Sequence, residues 1–195
     1  VLFRSPKDKE DYYLNIVYDE IKRLSRLVSD LLDISAMEEG KFKLNMVEFD
    51  INILIKQCIA NFDGKIRNKG VNVEVTFGRE HEFVYADRDR LMQVLTNIID
   101  NAIKYSNDNG NIKITTNDKG SKVYVSVFNN GTLLKAEELA RIWDRFYKSD
   151  KARTNKDSTG LGLPIVRLIL AQHGEDIWVD NEKDGVIFTF TISKI

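Results

Sequence analysis

Leu14, Val17, Ile21, Leu24, Val28 and Leu31 follow one another at intervals of 3, 4, 3, 4 and 3 residues. That is a helical seam with a period of 3.5, and it constrains the chain more than any other feature. Leu27, Leu32 and Ile34 widen the seam toward the breadth found in helical bundles. Pro6 stands just ahead of the stretch and Gly40 just behind it, so the spacing predicts one helix over about residues 8–39. A lone helix cannot bury such a stripe. The rest of the chain offers no second helix of that length and pattern, so the expectation is a homodimer formed through this helix. The alternative is that the stripe docks on the remainder of the chain. VLFRS at the extreme start reads as a cloning remnant, and residues 1–7 are set aside as a lead-in.

Beyond Gly40 the pattern changes. KFKLNMVEFD reads as extended, and DINILIKQCIANFDGKIRNKG as a helix ending at Gly70. VNVEVTF and FVYAD read as strands. DRDRLMQVLTNIIDNAIKYS is helical, with Asp87 as N-cap. NDNGN is a turn, IKITTN and KVYVSVFN are strands joined at DKGS, and a helix is expected from about Lys135 to Phe146. A polar stretch from Lys148 to Gly162 has no periodicity. A helix from Pro164 to His173 follows, and DIWVDN and VIFTFTI close the chain as a hairpin. This mixture implies an α+β two-layer sandwich: a mostly antiparallel sheet with helices on one face, preceded by a long dimerisation-type helix.

Composition limits the function classes. The 195 residues are 43% hydrophobic and 30% charged, with a net charge of -1, so nucleic acid is not an expected partner. No apolar run is long enough to span a bilayer and no signal-peptide pattern is present, which gives the expectation of a soluble, cytoplasmic chain. The single cysteine, Cys58, excludes a disulfide framework and a cysteine-based metal site, and its setting reads as buried and inert.

Three stretches carry candidate chemistry. On a helical wheel, Leu91, Leu95, Ile98, Ile99, Ala102 and Ile103 take one half of the helix around TNIIDNAIKYS. Gln93, Asn97, Asn101, Lys104 and Tyr105 take the other. Solvated faces favour Glu, Lys and Arg, whereas asparagine is a mediocre helix former. An amide oxygen can ligate a hard cation and a lysine can hold a phosphate, so the face is either a ligand face or an unusual polar one. In DSTGLGLPIV, Gly160 and Gly162 precede a helix start that could receive an anion; an ordinary glycine-containing loop is the other reading. The polar segment 148–162, with Lys148, Lys151, Arg153 and Lys156, reads as a basic lid or as a solvated loop.

NIIDNAIKYS, VFNNG, IWDRFYKSD and STGLGLPIV, in this order, resemble the asparagine, first glycine, phenylalanine and second glycine boxes of the sensor histidine kinases. These kinases share a superfamily with the gyrase, Hsp90 and MutL ATPases. The resemblance covers residues 42–195 as an ATP-binding catalytic domain. Residues 8–41, ending in LVSDLLDISAMEEGK, resemble the second helix of the dimerisation and histidine-phosphotransfer hairpin. The resemblance implies Mg²⁺ and ATP as cofactors. Asn101 would ligate the metal, with Asn97 beside it on the same face. Lys104 would bind phosphate and Tyr105 would sit beside the nucleotide. Gly131 would let the backbone approach the adenine. Phe146, with Ile142 and Trp143, would anchor the near end of the lid, leaving Arg145 or Lys148 to meet the γ-phosphate. Thr159, Gly160, Leu161, Gly162 and Leu163 would receive the phosphates at its far end. The reaction implied is in-line γ-phosphoryl transfer to a histidine, for relay to a response regulator receiver domain.

Two departures from the family pattern matter. Asn129 stands where the family carries the adenine-reading aspartate, and Leu133 stands at the second glycine of that box. A neutral amide is a weaker acceptor than a carboxylate by roughly 1 kcal/mol. It can also turn its NH₂ toward the oxo group of guanine, so discrimination between ATP and GTP is expected to be softer. In addition, the only histidines are His81, read as a surface residue, and His173, read as a helix cap. Neither lies in a phosphoacceptor-like context. The chain is therefore expected to be a catalytic fragment of a membrane-anchored parent, able to bind nucleotide but not to phosphorylate itself. The alternatives are a degenerate nucleotide-binding scaffold, or another kinase or ATPase of the same superfamily.

Overall fold

A computed structural model describes residues 7–38, 43–148 and 159–195. The long helix α1 spans Lys7–Glu38. It is followed by β1 Met46–Asp50, α2 Ile51–Ala60, α3 Asp63–Lys69, β2 Asn72–Phe77, β3 Phe83–Asp87, α4 Arg88–Tyr105, β4 Asn111–Lys119, β5 Lys122–Asn130, α5 Ala136–Arg141, α6 Gly162–Gln172, β6 Ile177–Glu182 and β7 Gly185–Ser193.

The alternation of the later strands sets the layers. Ile112 and Ile114 on β4, Val123, Val125 and Val127 on β5, and Phe188, Phe190 and Ile192 on β7 are buried on one side. Because side chains alternate along a strand, these residues form one apolar sheet face. The buried stripes of α2 (Ile51, Leu54, Ile55, Cys58), α4 and α6 (Ile165, Val166, Ile169, Leu170) complete the same core. The main sheet runs in the order β2-β4-β5-β7-β6, antiparallel throughout except for the parallel pair β2 and β4. β1 and β3 form a separate antiparallel pair. The expected two-layer α+β sandwich is observed.

Three boundaries differ from the sequence reading. The helix expected over residues 51–70 breaks at Asn61 and Phe62, because Phe62 turns into the core while α3 buries no residue of its own. It does end at Gly70, in the left-handed conformation. The helix expected to reach Phe146 stops at Arg141, with Ile142 as its C-cap, and Phe146 itself adopts φ 61°, outside any helix. The last long helix begins at Gly162 rather than Pro164. The proline falls in the first turn, where its missing N–H costs nothing.

The seam of α1 does not dock on the sandwich. Its six residues are between 45% and 61% exposed, from Leu31 to Leu14. A different strip, about 100° around the helix, makes the contact. There Ile34 is 3% exposed and Leu27 packs partly buried against the core. Asp33 adds an ion pair, its Oδ2 receiving Arg90 Nη1 of α4 at 2.9 Å and Gln93 Nε2 at 3.2 Å. No described helix is long and apolar enough to cross a membrane.

Candidate functional site

Helix α4 begins where Asp87 accepts the Arg90 N–H at 3.1 Å, as its N-cap position predicts. His173 reinforces that start: its Nε2 accepts the Asp87 N–H at 3.0 Å while its Nδ1 donates to the Ile169 carbonyl at 2.8 Å. Both ring nitrogens are thereby engaged, in agreement with its reading as a structural residue. His81 is a surface residue whose Nδ1 meets Asp50 Oδ2 at 2.8 Å.

Opposite its buried stripe, α4 carries Arg90, Gln93, Asn97, Asn101 and Lys104 at intervals of 3, 4, 4 and 3, and all five are half-buried. This is not a freely solvated face. Arg90 and Gln93 hold α1 through Asp33, leaving Asn97, Asn101 and Lys104 as the continuation of the same stripe. The Lys104 ammonium lies 5.0 Å from the centroid of the Tyr105 ring, a cation–π contact. Tyr105 is itself 41% exposed, and desolvation of its hydroxyl, with the Asp100 carboxylate nearby, pushes it above the usual tyrosine value.

Close backbone approaches bring the separate boxes together. A Cβ on Gly131 would lie 2.4 Å from the Tyr105 carbonyl oxygen, and Ser106 bridges to Gly131. The end of α4 is thus clasped to the end of β5, which carries Asn129. The room left by Gly131 within the chain is taken by Tyr105. A Cβ on Gly162 would stand 3.1 Å from Asn97 Oδ1, so the start of α6 lies against the asparagine face of α4. Gly160, at φ 73°, lies with its Cβ position 2.9 Å from the Phe146 backbone, and the Phe146 N–H donates to the Gly160 carbonyl at 2.9 Å. The phenylalanine box and second glycine box are therefore pinned to each other.

The remaining expected residues take these places. Asn129 is buried, its NH₂ donating to the Asn130 carbonyl at 3.4 Å, whereas Leu133 is exposed. Thr159 Oγ1 accepts the Leu161 N–H at 3.3 Å; Leu161 is fully buried and Leu163 half-buried at the start of α6. Ile142 and Trp143 pack against the core, and Trp143 meets Phe188 edge-on with ring centroids 6.2 Å apart. Phe146 and Arg145 are exposed and Lys148 is half-buried. Lys151, Arg153 and Lys156 lie outside the described residues.

Two sets of contacts at the end of α4 escape a sequence reading. Asn130 Oδ1 accepts the Asn111 N–H at 2.8 Å and its carbonyl accepts Asn107 N–H at 3.2 Å, fixing the turn after α4. The only sequence hint is an asparagine pair before a glycine. Lys69, ahead of Gly70, places its ammonium on the Ile103 and Lys104 carbonyls. A lysine in a helix's last turn ordinarily reads as solvated.

Among the described residues, no group of three or more His, Cys, Asp or Glu side chains could hold a metal ion. The site offers a neutral amide oxygen on Asn101. That donor suits a hard cation held chiefly by substrate phosphates and water, as Mg²⁺ commonly is, rather than by a protein cage.

The chain belongs to the histidine kinase-, DNA gyrase B- and HSP90-like ATPase family, which it matches over residues 86–194. Within that family it corresponds to the catalytic, ATP-binding region of sensor histidine kinases. It is 34% identical over 190 residues to the sensor histidine kinase WalK of Bacillus subtilis (strain 168), covering 95% of this chain and 31% of that protein. To the sensor protein SrrB of Staphylococcus aureus (strain MRSA252) it is 37% identical over 183 residues, covering 93% and 31%. The chain thus spans about a third of the length of these relatives. Among solved structures, the nucleotide-free catalytic domain of histidine kinase ThkA superposes with a TM-score of 0.71 at 39% identity, over 77% of this chain and 97% of that one. Full-length ShkA in complex with AMPPNP gives 0.83 at 25% identity, over 96% and 40%. ThkA in complex with the response regulator TrrA gives 0.79 at 34% identity, over 100% and 54%.

Proposed function

We propose that this chain binds Mg-ATP on the polar face of α4 and transfers the γ-phosphoryl group to a histidine carried outside it, from which the group passes to a response regulator receiver domain. The observation that carries this reading is the seating of the α6 start, at Gly162, against Asn97, which brings two phosphate-suited elements distant in sequence to one place. The structures of ShkA with AMPPNP and ThkA with TrrA support it as relatives. In this reading residues 42–195 form the catalytic domain and residues 8–41 a dimerisation helix whose exposed seam pairs with a second copy. The longer protein would be held at a membrane, with this part on the cytoplasmic side.

Each side chain has a part. Asn129 accepts from the base and Tyr105 flanks the nucleotide. Asn97, Lys104 and the backbone of residues 159–163 hold the phosphates, with the positive end of the α6 dipole facing the negative charge. Asn101 would hold the Mg²⁺, whose charge offsets that of the phosphates when bound. Arg145 or Lys148 neutralises charge developing on the transferred group. Catalysis in such a site rests on alignment and charge neutralisation.

The test mixes the chain with Mg-ATP labelled at the γ-position and a separate polypeptide bearing a phosphoacceptor histidine helix. Acid-labile phosphate is expected on the added polypeptide and none on this chain, and Asn101→Ala should abolish transfer. Nucleotide binding without any transfer favours a degenerate scaffold. Label on His81 or His173 refutes the assignment of the acceptor to another segment.

A further inference from the structure

We infer that Lys69, far from the four boxes in sequence, is a positioning residue for nucleotide binding, because it caps in trans the turn of α4 that carries Lys104 and Tyr105. The inference rests on the reading of that face as the nucleotide site.

The last four carbonyls of an α-helix lack intrahelical partners, so each one near a working site has to be met by something. In α4 they can be followed one at a time. The Ala102 carbonyl accepts the Ser106 N–H at 3.0 Å. The Ile103 carbonyl accepts the Ser106 hydroxyl at 2.8 Å and the Lys69 ammonium at 2.6 Å. The Lys104 carbonyl accepts Lys69 Nζ at 2.7 Å. The Tyr105 carbonyl is the one crowded against Gly131. Lys69 thus serves two of the four, and it brings a full positive charge to the negative end of the helix dipole. Bonds from a charged donor are about twice as strong as neutral ones.

The backbone repeats the connection. The Lys69 carbonyl accepts the Asn109 N–H at 3.1 Å, and the Asn72 N–H donates to the Gly110 carbonyl at 2.8 Å. Gly70, at φ 68°, takes a left-handed conformation that L side chains rarely adopt, and its Cβ position lies 2.2 Å from the Asn109 side-chain oxygen. The half-buried ammonium is pushed below the usual lysine value by desolvation, while the Asp108 carboxylate pulls it up. Without Lys69 the last turn keeps its amide bonds but loses the donor that fixes the Lys104 and Tyr105 peptide groups. The side chains projecting from that turn then sample more orientations.

The test compares Lys69→Met, which keeps the aliphatic stem, and Lys69→Arg, which keeps the charge, with Cys58→Ala as a stability control. Cys58 is buried away from this face, against Thr96. Mg-ATP affinity is measured by calorimetry well below the unfolding temperature, and amide hydrogen exchange of residues 102–109 is followed without nucleotide. Lys69→Met is expected to weaken Mg-ATP binding about 10-fold and to speed exchange at Ser106 and Asn109; Lys69→Arg should return within about 3-fold of the parent. Cys58→Ala should leave affinity unchanged even where it lowers the unfolding temperature as much. Parent-like affinity and exchange in Lys69→Met, or an equal loss of affinity in Cys58→Ala, overturns the inference. If the unaltered chain fails to bind Mg-ATP while exchange still quickens in Lys69→Met, the nucleotide reading fails and the capping role stands.

Discussion

Replacing Gly131 by alanine isolates the joint between α4 and β5. Gly131 does not have a positive φ, so the change carries no left-handed strain and its whole cost is steric. The new Cβ would meet the Tyr105 carbonyl oxygen at 2.4 Å, roughly 1 Å inside ordinary contact. Neither partner can rotate away, since both belong to backbone tied by the Ser106–Gly131 bridge and by the Asn107 N–H bond to Asn130. Overpacking of this kind costs about 2 kcal/mol. For a chain of this size that lowers the unfolding temperature by about 4–8 °C. The functional effect should be larger, because the displacement falls on the turn bearing Lys104 and Tyr105, and a shift of about 1 Å at a positioned group can cost about 100-fold. Calorimetric titration of Mg-ATP into Gly131→Ala at 15 °C, beside a thermal melt, separates the two. Gly120→Ala is the comparison. It has φ 67° but nothing within 4 Å, so it should lose about 1 kcal/mol of stability and no affinity. Gly131→Ala with parental affinity would refute the claim that this clasp sets the site.

On α1, Ile34→Ala should destabilise the docked helix by about 2 kcal/mol. Leu24→Ala on the exposed seam should change monomer stability by less than about 0.5 kcal/mol and instead weaken self-association; melts and sedimentation at several concentrations distinguish them. Asn129→Asp should tighten Mg-ATP several-fold, about 1 kcal/mol, and weaken GTP, read as competition against a fluorescent ATP analogue. The buried Glu175 carboxyl is pushed up by burial, but bonds from Lys122, Ser193 and Thr191 outweigh this and hold it below the usual glutamate value. A folded pKa below the unfolded one means stability present above about pH 4.5 and lost as pH falls through the folded value. Glu175→Gln should therefore flatten the acid limb of a plot of melting temperature against pH, and an unchanged limb would contradict the assignment.

What the sequence reveals and what it hides divide on physical grounds. The division of α4 into a buried and a polar half is legible because helical period alone generates it. The Asp87 cap and the Gly70 stop are legible because each reflects a local backbone need. The break between α2 and α3 is hidden, since Ile55, Ile59, Phe62 and Ile66 continue a helical spacing straight through it. The parallel pairing of β2 with β4 is hidden too, because nothing local distinguishes it from a hairpin partner. Asn129 can be flagged from its motif, but the contact of Gly131 with Tyr105, like the reach of Lys69 to α4, exists only once distant segments meet.

The bond between Phe146 and Gly160 has one more consequence. Thirteen residues separate them in sequence, and the bond from the Phe146 N–H to the Gly160 carbonyl joins the two ends of that span. The entropy of closing a chain segment at its ends depends only weakly on its length. Doubling such a ring adds only about 0.6 kcal/mol of closure entropy. An insertion between residues 148 and 159 is therefore expected to cost little in closure entropy, read as a small shift in a thermal melt.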